Sequence, residues 1–65
     1  MRITVNGKET EFSKTYLLDL LSDMGVPLNG LAVAVGSKII PRDQWEAHLL
    51  KENDEVMLIG ATRGG

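Results

Sequence analysis

The spacing of apolar residues changes period along this chain, and that limits the folds open to it. Ile3 and Val5 alternate with Arg2, Thr4 and Asn6, and Thr10 and Phe12 alternate with Lys8, Glu9 and Glu11, the period of two that belongs to strands with one buried face. Between these runs stands Asn6-Gly7, a pair suited to a type I′ turn because both positions need positive φ. From Thr15 the period lengthens: Leu17, Leu20, Leu21 and Met24 fall at i, i+3, i+4 and i+7, with Asp19, Ser22 and Asp23 on the opposite side. The spacing predicts an amphipathic helix capped by Thr15, ended by Gly25 and kept from continuing by Pro27. Leu31 to Val35 then reads as a strand, Gly36-Ser37 as a turn, and Lys38 to Ile40 as a strand stopped at Pro41. Asp43 is expected to cap a short helical turn carrying Trp45, before a polar turn over 51–54 and a last strand over 55–60. The order ββαββ, short helix, β is that of an α+β β-grasp domain. A mixed sheet of about five strands would curl round one main helix, with the last strand central and parallel to the first.

The chain has 65 residues and no cysteine, so this core must hold without disulfides, and thiolate metal sites, redox pairs and a cysteine nucleophile are excluded. A domain this short buries only about 60% of the surface its unfolded chain exposes, which leaves no room for the deep cleft of a self-contained enzyme. Acidic residues outnumber basic ones, 9 to 7, the opposite of a phosphate-binding surface, so no nucleic-acid role is expected. No membrane partner is expected either, since no apolar run approaches the roughly 20 residues a bilayer requires. Met1 and Arg2 lead straight into an alternating strand rather than a signal-peptide apolar stretch, which points to a cytoplasmic protein.

Most side chains that could carry chemistry have a plainer use. His48 is the sole imidazole and has neither a second ligand nor a nucleophile nearby in sequence, so it reads as a solvated loop residue and no metal site is expected. Trp45, beside Leu49 and Leu50, reads as the closure of a small core, and Asp19 and Asp23 as the solvated side of a short helix. No residue is assigned a catalytic role.

The last strand is different, because Val56, Met57, Leu58 and Ile59 are apolar in succession and one of its faces must look outward. With Val56 and Leu58 in the core, Met57 and Ile59 reach the far side of the sheet, where Ala32 and Ala34 would make a flat neighbour. That arrangement suits a protein-docking patch; the plainer alternative is scattered exposed apolar residues. After a domain spanning 1–60 come Ala61, Thr62, Arg63, Gly64 and Gly65, read as a flexible tail with nothing to bury. Such a segment extends at most about 17 Å, enough to thread a narrow channel. Glycines without Cβ atoms keep it thin and leave the terminal carbonyl open on both faces. A terminal carboxylate, ionised at neutral pH, is a poor electrophile until activated, for instance as an acyl-adenylate formed with ATP. Frayed chain ends can look the same, so the Gly-Gly pair says little by itself.

Taken with the ββαββ…β pattern and the run Ile39-Ile40-Pro41-Arg42-Asp43-Gln44-Trp45, that ending resembles the ubiquitin-like sulfur carriers of the ThiS/MoaD superfamily, and most closely the thiamin-biosynthesis branch. The resemblance covers essentially the whole chain. The Pro-Arg-x-x-Trp run is moderately specific, whereas the diglycine is shared by every branch. It implies a β-grasp carrier protein, not an enzyme, whose Gly65 carboxylate is adenylated by an E1-like, ThiF-like enzyme and converted to a thiocarboxylate. Sulfur supplied by a donor system then passes to a ThiG-like thiazole synthase. No cofactor is held permanently; ATP is used by the activating enzyme. Gly65 takes the covalent role, Gly64, Arg63 and Thr62 give access, and Met57, Ile59, Ala32 and Ala34 meet the partners. Two departures stand out: Asn53-Asp54 replaces the glycine-aspartate of many relatives, and Arg63 is closer to ubiquitin-type modifier tails. Arg42 and Arg63 would serve equally as contacts to acidic partners or as solubilising charges. Competing readings are the same chemistry with molybdopterin, cysteine or protein conjugation as acceptor, and a non-covalent TGS-like β-grasp adaptor.

Overall fold

The computed structural model describes residues 1–60. The opening hairpin forms as the alternation requires: β1 (Arg2–Val5) pairs antiparallel with β2 (Lys8–Glu11). The turn between them holds Asn6 at φ 52° and Gly7 at φ 83°, the positive values that select an Asn-Gly pair. Helix α1 (Leu17–Met24) follows, then β3 (Leu31–Val35), β4 (Lys38–Ile40), a one-turn 3₁₀ helix (Arg42–Gln44) and β5 (Glu55–Gly60). The sheet order is β2-β1-β5-β3-β4, with β5 central, parallel to β1 and antiparallel to β3. This is the expected β-grasp arrangement. One continuous apolar cluster lies between sheet and helix, with Ile3, Val5, Val33, Ile40 and Val56 from the strands against Leu17, Leu20 and Leu21 from α1. Phe12, Trp45 and Leu50 close it from the connecting segments.

The start of α1 corrects the expectation of a Thr15 cap. Tyr16 is the capping residue and offers no side-chain bond. The first amides are satisfied from elsewhere: Leu17 N–H donates to the His48 carbonyl (2.9 Å) and Leu18 N–H to the Trp45 carbonyl (3.0 Å). Thr15 instead accepts from Leu50 N–H (2.8 Å) through its own carbonyl, beside an antiparallel bridge between Tyr16 and Leu49. Residues 45–50 therefore lie across the helix N-terminus and supply the acceptors a cap would otherwise provide. The C-terminus is as expected, with Gly25 left-handed at φ 69° and its N–H bonded to the Leu21 and Ser22 carbonyls.

Four further expectations need correction. Met24 lies outside the apolar cluster and is 42% exposed, because it stands a turn beyond Leu21 where the helix ends. Leu49 is exposed, not packed beside Trp45: its bridge to Tyr16 turns alternate side chains apart, and Leu50 takes the buried position. Asp43 does not cap the short helical turn but lies within it, Pro41 being the capping residue and accepting the Gln44 N–H at 2.9 Å. His48 is half-buried instead of fully solvated, since its backbone is held against the start of α1.

The Ile39-to-Trp45 run proves to be a local closure. Trp45 is buried and its Nε1–H donates to the Ile40 carbonyl at 2.9 Å, while Pro41 turns the chain and the Arg42 guanidinium lies 6.0 Å from the indole ring centre. Asn53 adopts φ 70°, a conformation asparagine tolerates, and Asp54 accepts the Lys51 N–H at 2.8 Å to fix the turn into β5.

Candidate docking face

The outer surface of the sheet follows from strand alternation. Val56 is buried and Leu58 half-buried, so Met57 and Ile59 project from the opposite face, where they are 48% and 52% exposed. Register then sets their neighbours: Met57 lies opposite Ala34, which lies opposite Ile39, and Ile59 lies opposite Ala32. Ala32 is exposed and Ala34 half-buried, so the small side chains form a floor from which Ile39, Met57 and Ile59 stand up. The four patch residues expected from the sequence thus share one face.

Ile39, 62% exposed, extends that patch and was not anticipated. Its signal was present in the sequence, because Ile39-Ile40 is an apolar pair on one short strand, and adjacent strand residues cannot both point inward. The other half of the outer face is polar. Arg2, Thr4, Glu9 and Glu11 occupy it on β1 and β2, with Arg2 within 3.9 Å of Glu9. The outer face is thus divided into an apolar half on β3, β4 and β5 and a charged half on β1 and β2.

Elsewhere, the side chains of Trp45 and Asp23 are committed to structure. Asp23 accepts from Lys14 Nζ at 3.0 Å, an exposed pair whose hydrogen bond raises the lysine pKa above its ordinary value. Among the described residues, no three histidine, cysteine, aspartate or glutamate side chains gather as a metal site would require. No helix among them is long and apolar enough to cross a membrane. Thr62, Arg63, Gly64 and Gly65, with the rest of the tail expected over 61–65, lie outside the described residues. What the structure does provide is the strand leading to them: β5 carries Met57 and Ile59 and runs to Gly60.

A five-stranded mixed sheet packed on one helix defines a β-grasp domain, and the comparisons place it more narrowly. The ThiS family sequence model matches residues 3–65. The sulfur carrier protein ThiS of Escherichia coli strain K12 is 32% identical over 47 residues, covering 72% of this chain and 71% of that protein. Among solved structures, the crystal structure of a thiamine biosynthesis protein, ThiS, from Geobacter metallireducens superposes with a TM-score of 0.83 at 26% identity, covering 100% of both chains. A solution structure of a thiamine biosynthesis protein from the same organism gives 0.80 at 26% identity, covering 100% of this chain and 88% of the other. The chain belongs to the ThiS family.

Proposed function

We propose that this protein is a sulfur carrier of thiamin biosynthesis, consumed and regenerated by other enzymes and not itself a catalyst. Its Gly65 carboxylate attacks the α-phosphorus of ATP on an E1-like, ThiF-like enzyme, forming the acyl-adenylate as pyrophosphate leaves. Hydrosulfide released by a donor system then attacks the activated carbonyl, AMP departs with the C–O bond electrons, and the resulting thiocarboxylate delivers sulfur to a ThiG-like thiazole synthase. The observation that carries this reading is the family match reaching the terminal glycines, on a chain whose last strand bears the exposed Met57 and Ile59. In this reading Ile39, Met57 and Ile59, on their floor of Ala32 and Ala34, bind the activating enzyme, and Thr62, Arg63 and Gly64 pass through its channel. Binding through the sheet offsets the entropy lost when the terminal segment is ordered.

The test is ATP–pyrophosphate exchange by a ThiF-like enzyme, with and without this protein. Exchange should depend on the protein and vanish when one residue is added after Gly65, with the melting temperature unchanged, because the reacting carbonyl is then displaced. Normal exchange by the extended variant would overturn the reading.

A further inference from the structure

Strand β5 outruns the strand beside it. β1 pairs with it only at Thr4↔Glu55 and Val5↔Val56, after which Asn6 turns away at φ 52°. Two bonds from Asn6 finish the ladder: its N–H donates to the Val56 carbonyl (2.9 Å), and its Oδ1 accepts the Leu58 N–H (2.8 Å). The side-chain amide thus substitutes for the main-chain carbonyl that a longer β1 would have supplied. On the opposite edge, Gly36 N–H donates to the Glu55 carbonyl, so residues 55, 57 and 59 direct their backbone groups to β3, and residues 56, 58 and 60 direct theirs to the β1 side. Past Asn6, the Leu58 carbonyl and the Gly60 N–H therefore lie on an open edge, without a hydrogen-bond partner among the described residues.

Gly60 supplies a second, independent observation. Glycine weakens a strand, and at the end of β5 the described residues do not require one: φ is outside the left-handed region and a Cβ at this position would meet nothing within 4 Å among them. At this exposed position the missing side chain leaves room for another backbone to come close.

We propose that the Leu58–Gly60 edge is a β-addition site for an extended segment of the adenylating enzyme, which donates an N–H to the Leu58 carbonyl and accepts the Gly60 N–H. This rests on the function proposed above and adds to it a backbone contact that sets the register of the strand leading to residues 61–65. The occupant follows from continuity: the open groups of Leu58 and Gly60 alternate along the same strand with Met57 and Ile59, the residues proposed to meet that enzyme. A second copy of the chain fits poorly, because the Asn6-Gly7 turn closes the edge before a longer ladder could form.

The experiment replaces the Ile59–Gly60 amide by an ester through semisynthesis, which removes the N–H and leaves every side chain in place, and compares it with Gly60→Ala. A ThiF-like enzyme is the probe, read by its affinity and by pyrophosphate exchange. The ester should bind roughly three- to tenfold more weakly, the loss of one hydrogen bond. Gly60→Ala should also bind more weakly while melting at or above the temperature of the unaltered protein. In hydrogen exchange, the Gly60 amide should exchange rapidly alone and slowly in the complex. If the unaltered protein supports exchange and both variants bind as well as it does, the β-addition site is refuted and the carrier function stands. If the unaltered protein supports no exchange, both fail. Slowing of Gly60 exchange with protein concentration alone would identify a second copy as the occupant and overturn the proposal.

Discussion

Placing aspartate separately at Val56 and Ile59 tests the two faces of β5 against each other. Val56 is 2% exposed, so Val56→Asp loses about 1.5–3 kcal/mol of apolar burial. It also confines a carboxylate without a partner, at a further cost of several kcal/mol. At roughly 0.05–0.15 kcal/mol per residue, a chain of this length has about 3–10 kcal/mol of stability in total. Val56→Asp should therefore be largely unfolded. Ile59 is 52% exposed, and Ile59→Asp forfeits about half the burial of an isoleucine, roughly 1 kcal/mol, plus up to about 1 kcal/mol of strand preference. At about 4–8 °C per kcal/mol, the variant should melt some ~5–15 °C lower yet remain folded at room temperature. Circular dichroism and Trp45 fluorescence during heating distinguish these outcomes. Affinity for the ThiF-like enzyme, measured on the folded Ile59→Asp protein, should fall by at least about tenfold. Unfolding of Ile59→Asp, or equal melting of the two variants, would show that the faces are assigned wrongly; unchanged affinity would remove Ile59 from the docking surface.

Trp45→Phe should cost about 1–3 kcal/mol in urea unfolding, because it removes the buried bond from the indole N–H to the Ile40 carbonyl and leaves a smaller ring in a filled site. Asn53→Ala should lose about 1–2 kcal/mol through its φ of 70°, whereas Asn53→Gly should keep nearly full stability; equal loss in both would assign the effect to the asparagine side chain. The Lys14–Asp23 bond raises the lysine pKa, so its contribution to stability is fully present below the ordinary value of 10.5 and is lost as pH rises through the raised one. Comparing Lys14→Met with the unaltered protein by urea unfolding across that range should show a difference at neutral pH that closes on the alkaline side.

Most of what could be read from the sequence was local. The Asn6-Gly7 turn, the Gly25 helix end and the bounds of β5 each depend on the conformational preferences of adjacent residues, and the structure has them where expected. The central, parallel position of β5 also followed, from the order of elements and the length of the crossover. The errors arose where distant residues intervene. Thr15 has the side chain of a cap, but the amides of α1 are satisfied by the Trp45 and His48 carbonyls, and no local pattern encodes that substitution. Leu49 turns outward through a bridge to Tyr16 while Leu50 stays buried as expected. On the docking face, Met57 and Ile59 could be inferred from a strand apolar on both sides. Ile39 required its register with Ala34, and the link from Asn6 to Leu58 joins residues far apart in the chain.

The most direct test of the carrier function is the intact mass of the protein after incubation with ATP, a ThiF-like enzyme and a sulfur donor, followed by fragmentation of its C-terminal peptide. The account predicts exchange of one oxygen for sulfur, located at Gly65 and absent when ATP is omitted. Sulfur found on any other residue, or a mass that never changes while the same enzyme and donor modify a known ThiS protein, would contradict it.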